Sequence, residues 1–422
     1  MTPTSKTALL ASAAALCLLT ARPVLAEDKT IEVMHQWTSG GEAAAVQVLK
    51  DALEKQGIKW RDSAVAGAGG QTELQALQAR FASGNPPAAA QEPGQMVLEY
   101  SAQAALGDLS AVAKAENWDT LIAPALQPYA KVGGKWVAAP FNMHRENTVY
   151  YNKAVLDANG GKVPETWDDF IAYLDKVKQG SKITPLAIGG DDWQEAELFT
   201  GILIGQAGTD FYKKAVVGLN KDALGSDKMV AAFDTFRKVL SFTDANRAGR
   251  DWAIATGMVM RGEAAVQYQG DWAVGEFTKA AKAPGKDYVC TSAPGTGQTF
   301  VFVTDFFAMF KQPNDATKAN QEQLAKLIMS KDVQEGFNLK KGSIPARLDV
   351  SPEKFNDCSK RAFADREASI KSDTLLPSFI ESVAIRNEAK GAILDVIHAF
   401  ANDPAMSSKD AAAKIVKGIS AL

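Results

Sequence analysis

A short apolar run, Ala8 to Leu19, follows the lone early lysine Lys6 and precedes Pro23-Val24-Leu25-Ala26. One positive charge, an apolar core and small residues before a cleavage point after Ala26 predict a secretory signal peptide over residues 1–26. The run is too short to span a bilayer, which takes about 20 apolar residues, and no later stretch approaches that length. The rest of the chain is therefore expected to fold after export, in an oxidising compartment. Cys17 lies behind Leu16, where a lipoprotein cleavage site needs a small residue, and is expected to leave with the leader.

Without that leader about 396 residues remain, more than one apolar core usually serves, so two lobes are expected. Charged residues make up 23% and the formal net charge is -3, with no basic run. Nucleic acid is not an expected partner, because that job needs clustered Lys and Arg. Cys290 and Cys358 remain; they either form one disulfide or stand as two separate buried thiols. Three histidines and these cysteines are too scattered for a Cys/His metal site, so no metal and no cofactor is expected. No nucleophile elbow or phosphate-cradling loop occurs. Carboxylates are plentiful, which leaves a secreted glycosidase open on residue counts alone.

Thr30 to Met34 alternates as a strand does, and Glu42 to Gln56 carries apolar residues at helical spacing before Gly57. Trp60 to Val65 reads as a strand, Leu74, Leu77 and Phe81 as a helix ending at Gly84, and Ala88 to Ala90 as a third strand. That alternation is the rhythm of an α/β lobe whose ligand-contacting loops lie at the carboxyl ends of its strands. The Gly67–Gly70 run reads as a turn. Trp136 to Pro140 reads as an extended crossing segment, and Thr166-Trp167-Asp168-Asp169 as a capped helix start. Helices are predicted at Glu195–Ile204, Val230–Leu240 and Asp315–Met329. Ala264 to Tyr268 reads as a strand, Phe300 to Phe310 as a second apolar extended segment, Lys340 to Arg347 as a loop, and the remainder as mostly helical.

The segment His35-Gln36-Trp37-Thr38-Ser39-Gly40-Gly41-Glu42 resembles the start of periplasmic glucose-type sugar-binding proteins, family 1 extracellular solute-binding proteins of ATP-driven (ABC) importers. The resemblance continues through Ser83 to Gln91, Asn142 to Asn147, Gly270-Asp271-Trp272, Thr304-Asp305 and Lys341 to Pro345, and so spans the chain in order. It implies a two-lobed α/β periplasmic-binding-protein fold, the lobes joined by crossing strands with the ligand between them. The expected first lobe comprises residues 27–139 and 303–346, the second 140–302 and 347–422.

Such a protein takes a carbohydrate or polyol in the periplasm and delivers it to an inner-membrane permease; it is expected to be a monomer and not an enzyme. Trp37, Glu42, Asp305 and Lys341 match family positions that touch the sugar. Trp272 matches a cleft tryptophan of the second lobe, and Trp252 is a further counterpart. Aromatic rings cover the C–H face of a pyranose, while charged and amide groups hold its hydroxyl rim. As cleft plates, Trp37 and Trp272 are expected to lie outside the core. His144 is expected to be structural, His35 to support the loop after the first strand, and His398 to be ordinary helix packing.

Four positions depart from the glucose-type pattern. Gln36 stands for the first of two tryptophans, Pro93 for a lysine, Val303 for an asparagine and Glu381 for a histidine. Together they argue against plain glucose as the preferred ligand, and the carboxylates of Glu92 and Glu381 leave room for a cationic feature. The rival reading is a secreted carbohydrate-active enzyme using a carboxylate pair among Glu42, Asp305 and Glu381. A partner of a sensor domain is a third.

Overall fold

Ser39 shows how the first long helix begins. Its hydroxyl accepts the Glu42 amide N–H over 3.3 Å while the Glu42 carboxylate accepts the Ser39 N–H over 3.2 Å, a reciprocal cap that satisfies two end donors. The helix, Gly40–Lys55, then buries Ala45, Val46, Leu49 and Leu53 on one face. Thr166 caps Trp167–Gly180 through its hydroxyl alone, which accepts the Asp169 N–H and donates to the Asp169 carboxylate. The computed structural model describes residues 29–67 and 70–422. The leader read over residues 1–26, and the middle of the Gly67–Gly70 turn, lie outside the described residues.

Three larger sheets organise the described residues, beside a two-stranded one, Lys131–Val132 with Lys135–Trp136. The first runs Lys59–Ala64, Thr30–His35, Ala89–Glu92, Phe306–Met309, Ala138–Pro140. Its first three strands are parallel and its last two pairings antiparallel. The second runs Tyr288–Ser292, Thr148–Asn152, Ala264–Tyr268, Thr184–Ala187. Between them lies a third, Ile344–Pro345, Asn142–Arg145, Phe300–Val303, Leu375–Pro377. Its two middle strands are links: Asn142–Arg145 carries the chain from the first sheet to the second and Phe300–Val303 carries it back. Leu375–Pro377, beside Phe300–Val303, lies on the later passage out of the first lobe. The two middle strands pair antiparallel, with Val303 opposite His144.

Apolar side chains gather in two clusters, one on each main sheet. Phe306, Phe307, Phe141 and Phe337 belong to the first; Phe170, Phe233, Phe236 and Tyr150 belong to the second. Each sheet thus buries its own faces, and the fold is two-lobed.

Four readings are corrected. Ala138–Pro140 is not a crossing segment but the edge strand of the first sheet; the crossing comes after it, at Asn142–Arg145. The apolar run Phe300–Phe310 is two strands in different sheets, parted at Thr304-Asp305. Lys340 and Lys341 are not in a loop; they end a helix, Lys331–Lys341, whose apolar stripe is Val333 and Phe337. His398 is not simple packing: its side chain is 45% exposed and its Nδ1 lies 2.7 Å from the buried Glu195 carboxylate.

Candidate functional site

The carboxyl end of strand Thr30–His35 delivers Gln36 and Trp37, and the reciprocal cap places Glu42 one turn into the following helix. The Lys341 ammonium, at the end of its own helix, stands 2.9 Å from Glu42 Oε1 and 5.8 Å from the Trp37 ring centre. Glu42 therefore serves two partners: it closes a helix end and neutralises a buried lysine.

Asp305 sits where the chain passes from the crossing sheet into the first sheet. Gln91 Nε2 donates to its Oδ1 over 2.8 Å and Asn142 Nδ2 to its Oδ2 over 2.7 Å, while its own N–H donates to Asn142 Oδ1. His144 Nε2 is 3.5 Å from the same carboxylate, and His144 Nδ1 pairs with Asp271. A carboxylate–imidazole–carboxylate chain thus bridges the crossing strand and the Gly270-Asp271-Trp272 loop. Burial is the largest influence on His144 and acts to lower its pKa, yet Asp271 and Asp305 outweigh it and the net direction is upward. Burial likewise pushes Asp305 up, but His144, Lys341 and Asn142 leave it below the usual carboxylate range. Gly270 is needed here, since a Cβ on it would lie 2.3 Å from the Trp272 ring.

Trp272 is the centre of an aromatic wall. Its ring is 6.1 Å from that of Trp193 and 5.3 Å from the His144 imidazole. Trp252 opens the helix Trp252–Arg261, which Asp251 caps. Trp37 differs from the others: it is 3% exposed and packs on Phe141, Phe307 and Phe337. The expectation that it lies outside the core is corrected; aromatic packing of the first lobe holds it. Trp272, 8% exposed, also belongs to the apolar cluster of its lobe.

The eight ligand candidates read from the sequence, Gln36, Trp37, Glu42, Trp252, Trp272, Asp305, Lys341 and Glu381, all line one cavity of about 440 Å³. Trp193, His144 and Val303 complete its lining. Trp193 was not legible as a site residue, although Asp191-Asp192 before it marks a helix start. A second cavity, of about 520 Å³, adjoins the first through Gln36, Val303, Asp305 and Glu381. Glu73, Gln91, Glu92, Pro93 and Lys390 line its far side. All four departures from the glucose-type pattern therefore face this second chamber.

Burial raises the pKa of Glu381, with Lys390 pulling against it, and burial lowers that of Lys390. His35 points away from the chamber and pairs with Asp62 over 2.9 Å. Cys290 and Cys358 lie outside both cavities, with Cα atoms 5.9 Å apart and sulfurs at bonding distance. They connect strand Tyr288–Ser292 to helix Asp357–Ser372.

The sequence profile described as bacterial extracellular solute-binding protein matches residues 37–333. A probable sugar-binding periplasmic protein of Brucella suis is 46% identical over 94% of this chain and 93% of its own length. Another, of Mesorhizobium japonicum, is 44% identical over 93% and 94%. Among solved structures, a chitin oligosaccharide binding protein superposes with a TM-score of 0.79 at 18% identity, covering 93% of this chain and 98% of that one. At that identity the likeness speaks to the fold.

Proposed function

Since this chain belongs to the bacterial extracellular solute-binding protein family, we propose that its cleft captures a carbohydrate in the periplasm for delivery to an ATP-driven inner-membrane permease. The observation that carries this reading is the joint lining of one cavity by Trp193, Trp252 and Trp272 on one side and Glu42, Asp305 and Lys341 on the other. Indole faces suit the C–H surface of a sugar ring, and charged donors and acceptors suit its hydroxyl rim. The family binds solutes and does not convert them, which answers the alternative of a secreted carbohydrate-active enzyme.

The lobes are taken to be residues 27–139 with 303–346 and 140–302 with 347–422, after removal of a leader over residues 1–26. The two apolar clusters and the crossing strands support a division into two lobes, although Phe141, Val350 and Phe355 pack with the cluster of the first sheet. Ligand held by both lobes would favour their closed arrangement, a hinge population shift, and the protein is taken to act as a monomer. A thermal-shift screen of monosaccharides, disaccharides, polyols and amino sugars tests the reading. A ligand at 100 times its dissociation constant stabilises the fold by about 2.7 kcal/mol. A screen in which no saccharide or polyol raises the melting temperature would sink it.

A further inference from the structure

Glu73 reaches the second chamber from helix Gln71–Ala82 and Glu92 from the end of strand Ala89–Glu92. Glu73 is 4% and Glu92 1% exposed, and the Oε1 atom of each has no hydrogen-bond partner among the described residues. Buried carboxyls left without a donor are costly unless something fills the need. Of the other carboxylates on this chamber, Asp305 is satisfied by Gln91 and Asn142. Glu381 faces Lys390, whose ammonium donates to Ser382 Oγ over 3.0 Å. Glu99 and Tyr100, from the helix Gly94–Ala102, add acidic and phenolic groups on the side of Glu92. Among the described residues no cation offsets Glu73 or Glu92.

We propose that the chamber bounded by Glu73 and Glu92 is a subsite for a cationic amino group, so that the preferred ligand is an amino-substituted sugar or cyclitol. This rests on the carbohydrate reading of the adjoining tryptophan-lined cavity and names the ligand class within it. An ammonium offers three donors, the complement of two carboxyls that lack one. Burial lifts both groups, Glu73 to about 8 and Glu92 in the same direction with Glu73 and Glu99 adding to it. Both carboxyls therefore lean toward the protonated form, and an ammonium entering between them displaces a proton to solvent.

Calorimetry near neutral pH tests this with 2-, 3- and 6-amino-substituted glucose and galactose. Each is compared with its N-acetylated form and with the parent sugar. At least one amine is expected to bind about tenfold tighter than both of its neutral counterparts, with a heat that varies with buffer ionisation enthalpy because a proton is released. Glu73→Gln and Glu92→Gln, two independent isosteric variants whose melting is checked first, should each reduce that amine to the level of its counterparts. Neutral sugars should lose less affinity than that amine does in both variants. Neutral sugars binding as well as every amine would overturn the amino subsite and leave the carbohydrate reading standing. An amine preference that survives in both variants would overturn it too. No heat from any saccharide would overturn both readings.

Discussion

The Gly41 amide N–H donates to the Glu276 carboxylate over 2.7 Å, joining the first turn of helix Gly40–Lys55 to helix Ala273–Lys279. The two helices belong to different lobes, and they meet because Gly41 has no side chain: a Cβ there would lie 2.7 Å from the Gly275 backbone. A carboxylate at a helix N-terminus also gains from the helix dipole. Lys279 adds a contact to the Gly40 carbonyl over 3.3 Å. These contacts tie the two lobes together at the mouth of the helix pair. Glu276→Ala should shift the ligand-free protein toward the open form and weaken ligand binding about fivefold, or roughly 1 kcal/mol. Small-angle scattering and a titration check it; an unchanged radius of gyration and unchanged affinity would remove the latch from the mechanism.

Trp272 and Trp37 both line the cleft, and Trp37 is the more deeply packed of the two. Trp272 lines the cavity beside Trp193, and its replacement by Ala should weaken binding by at least about 1.5 kcal/mol, or tenfold. Trp37→Ala should do the same and also lose about 3–5 kcal/mol of folding stability, because its ring fills the space among three phenylalanines. Urea unfolding alongside ligand titration reads both effects. A Trp37→Ala protein as stable as the wild type would contradict its burial.

Part of this was legible because the physics is local. The cap at Ser39 and Glu42, the helical stripe after it and the strand before it are written in consecutive residues. The break at Thr304-Asp305 was not, since strands buried on both faces show no alternation and two of them read as one. Asp305 was found through the motif around it, but its three partners, Gln91, Asn142 and His144, come from distant segments. Trp193 and Glu73 show the limit best. Each lies on a helix, and only the packing of other elements decides that the indole faces the cleft and the carboxyl is buried.

Glu146 makes stability depend on pH. It is fully buried, Ser378 Oγ donates to it, and burial holds its pKa at about 8. The folded protein therefore binds a proton more tightly than the unfolded chain. Its contribution is fully present below about pH 4.5 and is lost as pH rises through 8, by an amount on the order of 3–5 kcal/mol. Glu146→Gln keeps the Ser378 contact and cannot ionise. Unfolding free energies of wild type and variant should diverge between pH 5 and pH 9, the wild type falling relative to the variant. Parallel curves would show that Glu146 is ionised in the folded state. Glu197, buried near it, is raised first by burial and also by the Glu146 charge, so the difference reports Glu146 together with its coupling to Glu197.

Cys290 and Cys358 should be bridged in the exported protein. Thiol titration of the unfolded, unreduced mature chain is expected to find essentially no free thiol, and two would end the assignment. The bridge spans 68 residues, for which the chain-entropy account gives about 4 kcal/mol. Reduction should lower the melting temperature while leaving the cleft residues in place, since the pair lies outside both cavities.

The cleft should discriminate against plain glucose. Gln36, Pro93, Val303 and Glu381 differ in chemical kind from what a glucose-type site places there, and all four line the same chamber. Pro93 has no side-chain donor, Val303 no hydrogen-bonding group, and Glu381 is a carboxyl where the glucose-type pattern has a histidine. A sugar hydroxyl that meets an apolar or mismatched group loses its water without return, typically at about 1–3 kcal/mol for each unmatched group. Glucose should therefore bind with a dissociation constant above roughly 100 μM, weaker than about -5.5 kcal/mol, while another saccharide or derivative binds in the micromolar range or tighter. Converting Gln36→Trp, Pro93→Lys, Val303→Asn and Glu381→His together should move preference toward glucose. Because the four share one chamber, their effects should not add. Sub-micromolar glucose binding by the unaltered protein, measured by calorimetry, would refute the assignment.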